Sequence, residues 1–78
     1  MDLNIFIKNF EEAIEGIEQG SITPETEFKK IEQWNSLAVL TLMAMVDSEF
    51  GVELTVDEIV KKCNTVSQLF ELIISKKN

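Results

Sequence analysis

No histidine, arginine or tyrosine occurs among these 78 residues, and cysteine, proline and tryptophan occur once each. Without histidine the chain lacks the side chain that most often serves as general base, metal ligand or proton shuttle. Without arginine it has no planar fork to clamp a phosphate or carboxylate in bidentate fashion. These absences argue against a self-contained enzyme. Cys63 has no second cysteine with which to form an internal disulfide, and the apolar runs fall far short of the roughly twenty residues that span a bilayer. The segment Met1-Asp2-Leu3-Asn4 carries no basic stretch of the kind that opens a secretory leader. A cytoplasmic protein without membrane insertion is expected. Positive charge is scarce as well: seven lysines face fourteen acids, for a net charge of −7. That balance disfavours nucleic acid, whose binding rests on neutralising phosphates, and suits a protein partner with a basic surface.

What is present is enough for one small module, a single domain over residues 1–78. A chain of this size buries only about 60% of its unfolded surface, and an apolar content of 45% with a mean hydropathy near zero is that of a globular domain. Leu3, Phe6, Ile7, Phe10, Ala13, Ile14 and Ile17 recur at steps of three and four, which predicts a first helix with Glu11, Glu12, Glu15 and Glu18 on its opposite side and Gly20 closing it. Pro24 keeps Thr23 extended, so a long loop follows to about Asn35, pinned to the core by Phe28 and Ile31. A loop of that length in so small a domain suggests a function.

From Ser36 to Phe50 no breaker interrupts the sequence, and a second, most buried helix is expected with Val39, Leu42, Met43, Val46 and Phe50 facing inward, ended by Gly51. Thr55-Val56-Asp57-Glu58 has the pattern of a capping box and opens a short third helix to about Lys62. Thr65-Val66-Ser67-Gln68 repeats the device and opens the last helix, with Val66, Leu69, Phe70 and Ile73 inward and Lys76 and Lys77 near its negative dipole end. The expected architecture is an all-α four-helix bundle with a long first loop and a short third helix. Charge is uneven along it: residues 36–58 carry −5 with no lysine, while residues 59–78 carry +3.

Ser36 stands where the long loop meets the second helix, in the run Trp34-Asn35-Ser36-Leu37. A hydroxyl there projects from a helix N-terminus, where unpaired N–H groups and the dipole favour an attached phosphate. The same residue types are also common helix caps, so Ser36 or Asn35 could serve only in that role.

The surroundings of Ser36 resemble the acyl carrier protein family. The resemblance rests on Trp34-Asn35-Ser36-Leu37 opening the second helix and on Asp47-Ser48-Glu49-Phe50-Gly51-Val52 closing it. It continues through Leu54-Thr55-Val56-Asp57-Glu58-Ile59 and Thr65-Val66-Ser67-Gln68-Leu69, and the first helix also falls where the family has one. The resemblance implies a carrier and not a catalyst. It implies that a phosphopantetheinyl transferase uses coenzyme A to attach a 4′-phosphopantetheine arm to Ser36, and that the arm holds an acyl or aminoacyl group as a thioester. The implied partners are loading ligases and acyltransferase or synthase enzymes of fatty-acid or secondary-metabolite biosynthesis, which a monomeric carrier would reach freely. The rival is an unmodified interaction module that docks through the same helix.

Three features set this chain apart within the resemblance. Asn35 stands where the family usually has aspartate; the second helix bears only Asp47 and Glu49, near its end; and Trp34 precedes the motif. By helical spacing, Leu37, Thr41, Ala44, Met45 and Ser48 face outward, and together with Asn35 and Asp47 they form the expected docking surface. Because that surface is small and weakly apolar, docking should rest more on packing than on charge steering. Val39, Met43, Val46, Ile59 and Leu69 are the expected lining of a groove between the second and third helices for part of the cargo. Trp34 is expected to pack the loop against the bundle. Cys63, close in sequence to Lys61 and Lys62, would have a lowered pKa if those cations dominate, but a packing role is the more common one. The acids from Asp47 to Glu58 lack the alternation and central glycine of a calcium loop.

Overall fold

Phe6 is wholly excluded from solvent, and three other phenylalanine rings surround it. Its ring centroid lies 6.2 Å from that of Phe10, 5.8 Å from Phe50 and 5.6 Å from Phe70, two of the three in edge-to-face geometry. The computed structural model describes residues 2–77. These four rings come from three of its four helices: α1 (Leu3–Ala13), α2 (Ser36–Phe50), α3 (Val56–Lys62) and α4 (Val66–Lys77). A single 3₁₀ turn, Phe28–Lys30, lies in the long loop, and no strand occurs among the described residues. α1 packs against both α2 and α4, so the aromatic centre sits where those three helices meet.

The all-α architecture with a short third helix is as expected, but α1 is shorter than its apolar period implies. The helix stops at Ala13, Ile14 turns extended, and Gly16 adopts φ +91°. Only glycine takes that backbone geometry without strain. Ile14 still reaches the core and Ile17 packs at its margin, so the three-and-four spacing persists after the helix has ended. Glu11, expected to face water, is instead buried. Its carboxylate oxygen Oε2 accepts hydrogen bonds from the N–H groups of Gly20 and Ile22, each at 3.0 Å. A strongly accepting group satisfies two loop donors that would otherwise lack partners, which offsets the cost of its burial.

The long loop is held at both of its faces. Phe28 is fully buried, and its ring meets Phe10 at 6.2 Å and the half-buried Trp34 at 5.0 Å, so Trp34 does pack the loop against the bundle. Ile31 sits at the core margin. Further on, the carbonyls of Thr26 and Pro24 accept from the N–H groups of Val66 and Ser67 at 3.0 and 2.9 Å. The loop therefore supplies acceptors for the orphan donors in the first turn of α4.

The other helix boundaries follow their caps. α2 ends at Gly51, which is left-handed at φ 68° and donates its N–H to the carbonyl of Asp47. Both halves of the Thr55 and Glu58 capping box are formed at α3. At α4, Gln68 accepts from the N–H groups of Asn64 and Thr65, and the Thr65 hydroxyl accepts from the Gln68 N–H. The inward face of α2 differs from expectation by a rotation: Ala38, Leu42, Val46 and Phe50 are buried, whereas Val39 and Met43 are half-buried at one margin. Steps of four along an almost wholly apolar helix leave its orientation to its neighbours, and in the packed molecule the row covered is Ala38, Leu42, Val46 and Phe50.

α3 contributes one fully buried residue, Ile59, and lysines from elsewhere hold it in place. Lys29 Nζ donates to the Val60 carbonyl at 2.6 Å, and Lys76 Nζ bonds the Glu58 carboxylate at 2.7 Å and also the Glu53 carbonyl. Lys77 Nζ reaches the Phe50 carbonyl at 2.9 Å.

Candidate functional site at the start of the second helix

Asn35 and Ser36 divide the two roles that sequence alone leaves open. Asn35 is extended, at φ −155° and ψ −177°, and its side-chain oxygen accepts from the Ala38 N–H at 2.8 Å. It is the N-cap of α2. Ser36 is the first helical residue, exposed, and its hydroxyl is left out of the capping interaction. Of the donors in the first turn, Asn35 takes the Ala38 N–H, and the Val39 N–H begins the helix ladder on the Asn35 carbonyl at 3.1 Å. The N–H groups of Ser36 and Leu37 precede the ladder and have no intrahelical acceptor. A phosphoester on the Ser36 oxygen fits this environment, since two backbone donors and the positive helix end are available to it. The Asn35 cap and the packing of Trp34 against Phe28 anchor the chain on the loop side of this point.

The expected docking residues divide between surface and margin. Asn35, Leu37, Ala44, Asp47 and Ser48 are exposed, while Thr41 is half-buried and Met45 packs against the core from the side. One residue was missed: Leu40 is 59% exposed, and with Leu37 at 66% it forms an apolar patch next to Ser36. Its position four residues after Ser36, one turn along, would have placed it beside the hydroxyl. On α3, Val56 and Val60 are also exposed, again one turn apart. α2 carries no basic residue, and its acids Asp47 and Glu49 lie in its last turn, far from Ser36.

Of the expected groove residues, Val46, Ile59 and Leu69 are fully excluded from solvent, and Val39 and Met43 flank them half-buried. The five therefore run from the core to its edge. Two surface depressions border α2. One, of about 260 Å³, lies between the end of α1 and the start of α2 and includes Asn35 and Leu37 in its wall. The other, of about 320 Å³, lies farther along at Met43, Ala44 and Asp47, facing Glu53 and Leu54.

Burial and neighbouring charge separate the remaining candidates. Cys63 is 1% exposed, and burial pushes its thiol up despite the opposing pull of Lys29 and Lys62, so proximity to lysine in sequence does not activate it. Its role is packing. The Glu58 carboxyl lies below the usual carboxylate range because Lys76 hydrogen-bonds its ionised form, with the Thr55 N–H adding to the effect. Among the described residues, no group of three or more candidate ligands is arranged to hold a metal ion. Among the described residues, no helix is long and apolar enough to cross a membrane either.

The family model described as a phosphopantetheine attachment site matches residues 8–73. No solved structure shows significant similarity to the chain.

Proposed function

Because the chain belongs to the phosphopantetheine attachment family of carrier domains, we propose that Ser36 is its attachment residue and that the protein presents acyl or aminoacyl thioesters to partner enzymes. The observation that carries this reading is the division of labour at α2: Asn35 performs the capping, so the Ser36 hydroxyl remains exposed and free for esterification. When bound, 4′-phosphopantetheine supplies a terminal thiol on which cargo is held as a thioester. The protein's own residues supply the rest. The Ser36 and Leu37 N–H groups and the α2 dipole stabilise the negative charge of the ester linkage. Leu37 and Leu40, exposed beside it, give partners an apolar foothold, and Ala44 and Ser48 continue that face without obstruction. Tethering then replaces a free diffusional encounter with a high effective concentration of cargo at the docked enzyme.

The transferase that loads the arm and the ligases, acyltransferases or synthases that use it would meet this same face. The protein needs no base of its own, in keeping with its lack of histidine. Val39 and Met43, half-buried against the core that includes Val46, Ile59 and Leu69, are the residues a cargo chain would first displace on entering the bundle between α2 and α3.

Intact-mass measurement on protein isolated from its own host, followed by peptide mapping, tests the proposal. The expected result is the added mass of one phosphopantetheine arm on the peptide containing Ser36, with any further mass identifying the cargo class. An unmodified chain that also resists loading from coenzyme A by a cognate or broad-range transferase would favour a module that docks through α2 without an arm.

A further inference from the structure

The depression of about 260 Å³ between α1 and α2 has in its wall both residues that flank Ser36, namely Asn35 and Leu37. We propose that this pocket is a resting seat for the serine-proximal half of the arm, on the α1 side of the helix; the proposal rests on Ser36 being the attachment residue. Apart from the Glu15 carboxylate, the chemistry of the wall matches that of the uncharged part of the arm beyond the phosphate. Ala13, Ile14 and Leu37 offer apolar surface to the branched dimethyl carbon that follows the phosphate. Beyond that carbon, the arm presents a hydroxyl and amide groups. The Asn35 oxygen is occupied by the Ala38 N–H at 2.8 Å, which leaves its NH₂ as a donor. The NH₂ group of Gln33 is occupied by the Gly16 carbonyl at 3.1 Å, which leaves its oxygen as an acceptor. Thr41, half-buried in the same wall, adds a hydroxyl about 7.5 Å along the helix from Ser36, at five residues' rise.

Size sets how much of the arm the seat takes. At about 260 Å³ the depression is at the small end of ligand sites, which run from roughly 300 Å³ upward, so the seat is assigned to the serine-proximal half and the thiol end is left to partners. The second depression, at Met43, Ala44 and Asp47, has neither neighbour of Ser36 in its wall and begins about 10 Å along the helix. It is out of reach of the phosphate-proximal groups.

The test uses intact protein loaded with isotope-labelled 4′-phosphopantetheine and reads nuclear Overhauser contacts from the arm's dimethyl protons. Contacts to the Ile14 and Leu37 methyl groups are expected, with amide shifts at Ala13 and Thr41 relative to unloaded protein. Filling the pocket by Ala13→Leu should abolish the Ile14 contacts while leaving the mass increase at Ser36 unchanged. A loaded protein whose arm contacts only Val39 and Met43, or none of these residues, would overturn the seat and leave the attachment intact. Failure of any mass to appear at Ser36 would overturn both.

Discussion

Asn35 and Ser36 are adjacent, both polar and both exposed, yet their removal should have opposite consequences. Asn35→Ala deletes the acceptor for the Ala38 N–H and should cost about 1 kcal/mol of stability. Ser36→Ala removes nothing the fold uses, so its unfolding midpoint in urea should match that of the parent, while phosphopantetheine loading, read by mass, should be lost. Glu11 makes a stronger demand on stability, since its carboxylate alone serves the N–H groups of Gly20 and Ile22. Glu11→Ala should destabilise by about 1–3 kcal/mol, the cost of leaving the buried Ile22 donor unsatisfied, measurable by the same denaturation. Glu58 gives the protein a pH dependence. Its folded-state pKa lies below the ordinary 4.5, so the pairing with Lys76 contributes in full above that value and is lost as the pH falls through the lowered one. The melting temperature of the parent should fall more steeply than that of Glu58→Gln as the pH is lowered below about 4.5. Parallel curves would show that the pair contributes nothing to stability.

At the scale of elements, what could be read in advance depended on whether a boundary is set locally. α2 and α3 begin and end, and α4 begins, where their sequences indicate, because Asn35, Gly51 and the Thr55 and Thr65 devices act within four residues of the ends they define. The end of α1 is set by distant groups. Its apolar period runs on through Ile14 and Ile17, and the break at Gly16 is supported from the far side of the loop by Gln33, which donates to the Gly16 carbonyl. Glu11 deceived for the same reason, since its partners lie nine and eleven residues away. At the site, the position of Ser36 was legible because a cap and a helix start are local features. The exposure of Leu40 was not, because an apolar helix does not declare which face its neighbours will cover. Gly16→Ala tests the α1 boundary. It forces a side chain into φ +91°, with its Cβ 3.3 Å from Gln33 Cγ, and should cost about 1–2 kcal/mol in urea denaturation. A neutral result would mean that the helix can extend past Ala13.

For the molecule as a whole, α2 combines an apolar patch at its start with acids only at its end, which sets how it should meet partners. Leu40→Ser removes a side chain whose full burial is worth about 1.5–3 kcal/mol, so affinity for a loading enzyme should fall about tenfold or more, read by titration calorimetry. Raising ionic strength should weaken the same complex only slightly, because exposed charge contacts are screened while apolar packing is not. A steep loss with salt would instead assign recognition to Asp47, Glu49 and the acids that follow. Trp34, wedged edge-on against Phe28 two residues before the proposed attachment point, has one more consequence. With no tyrosine in the chain, it is the sole strong ultraviolet emitter. The colour and brightness of its emission therefore form a built-in optical gauge. Loading, unloading or capture by a partner can be followed in real time on the unlabelled protein, wherever these events disturb the indole's contact with the phenyl ring.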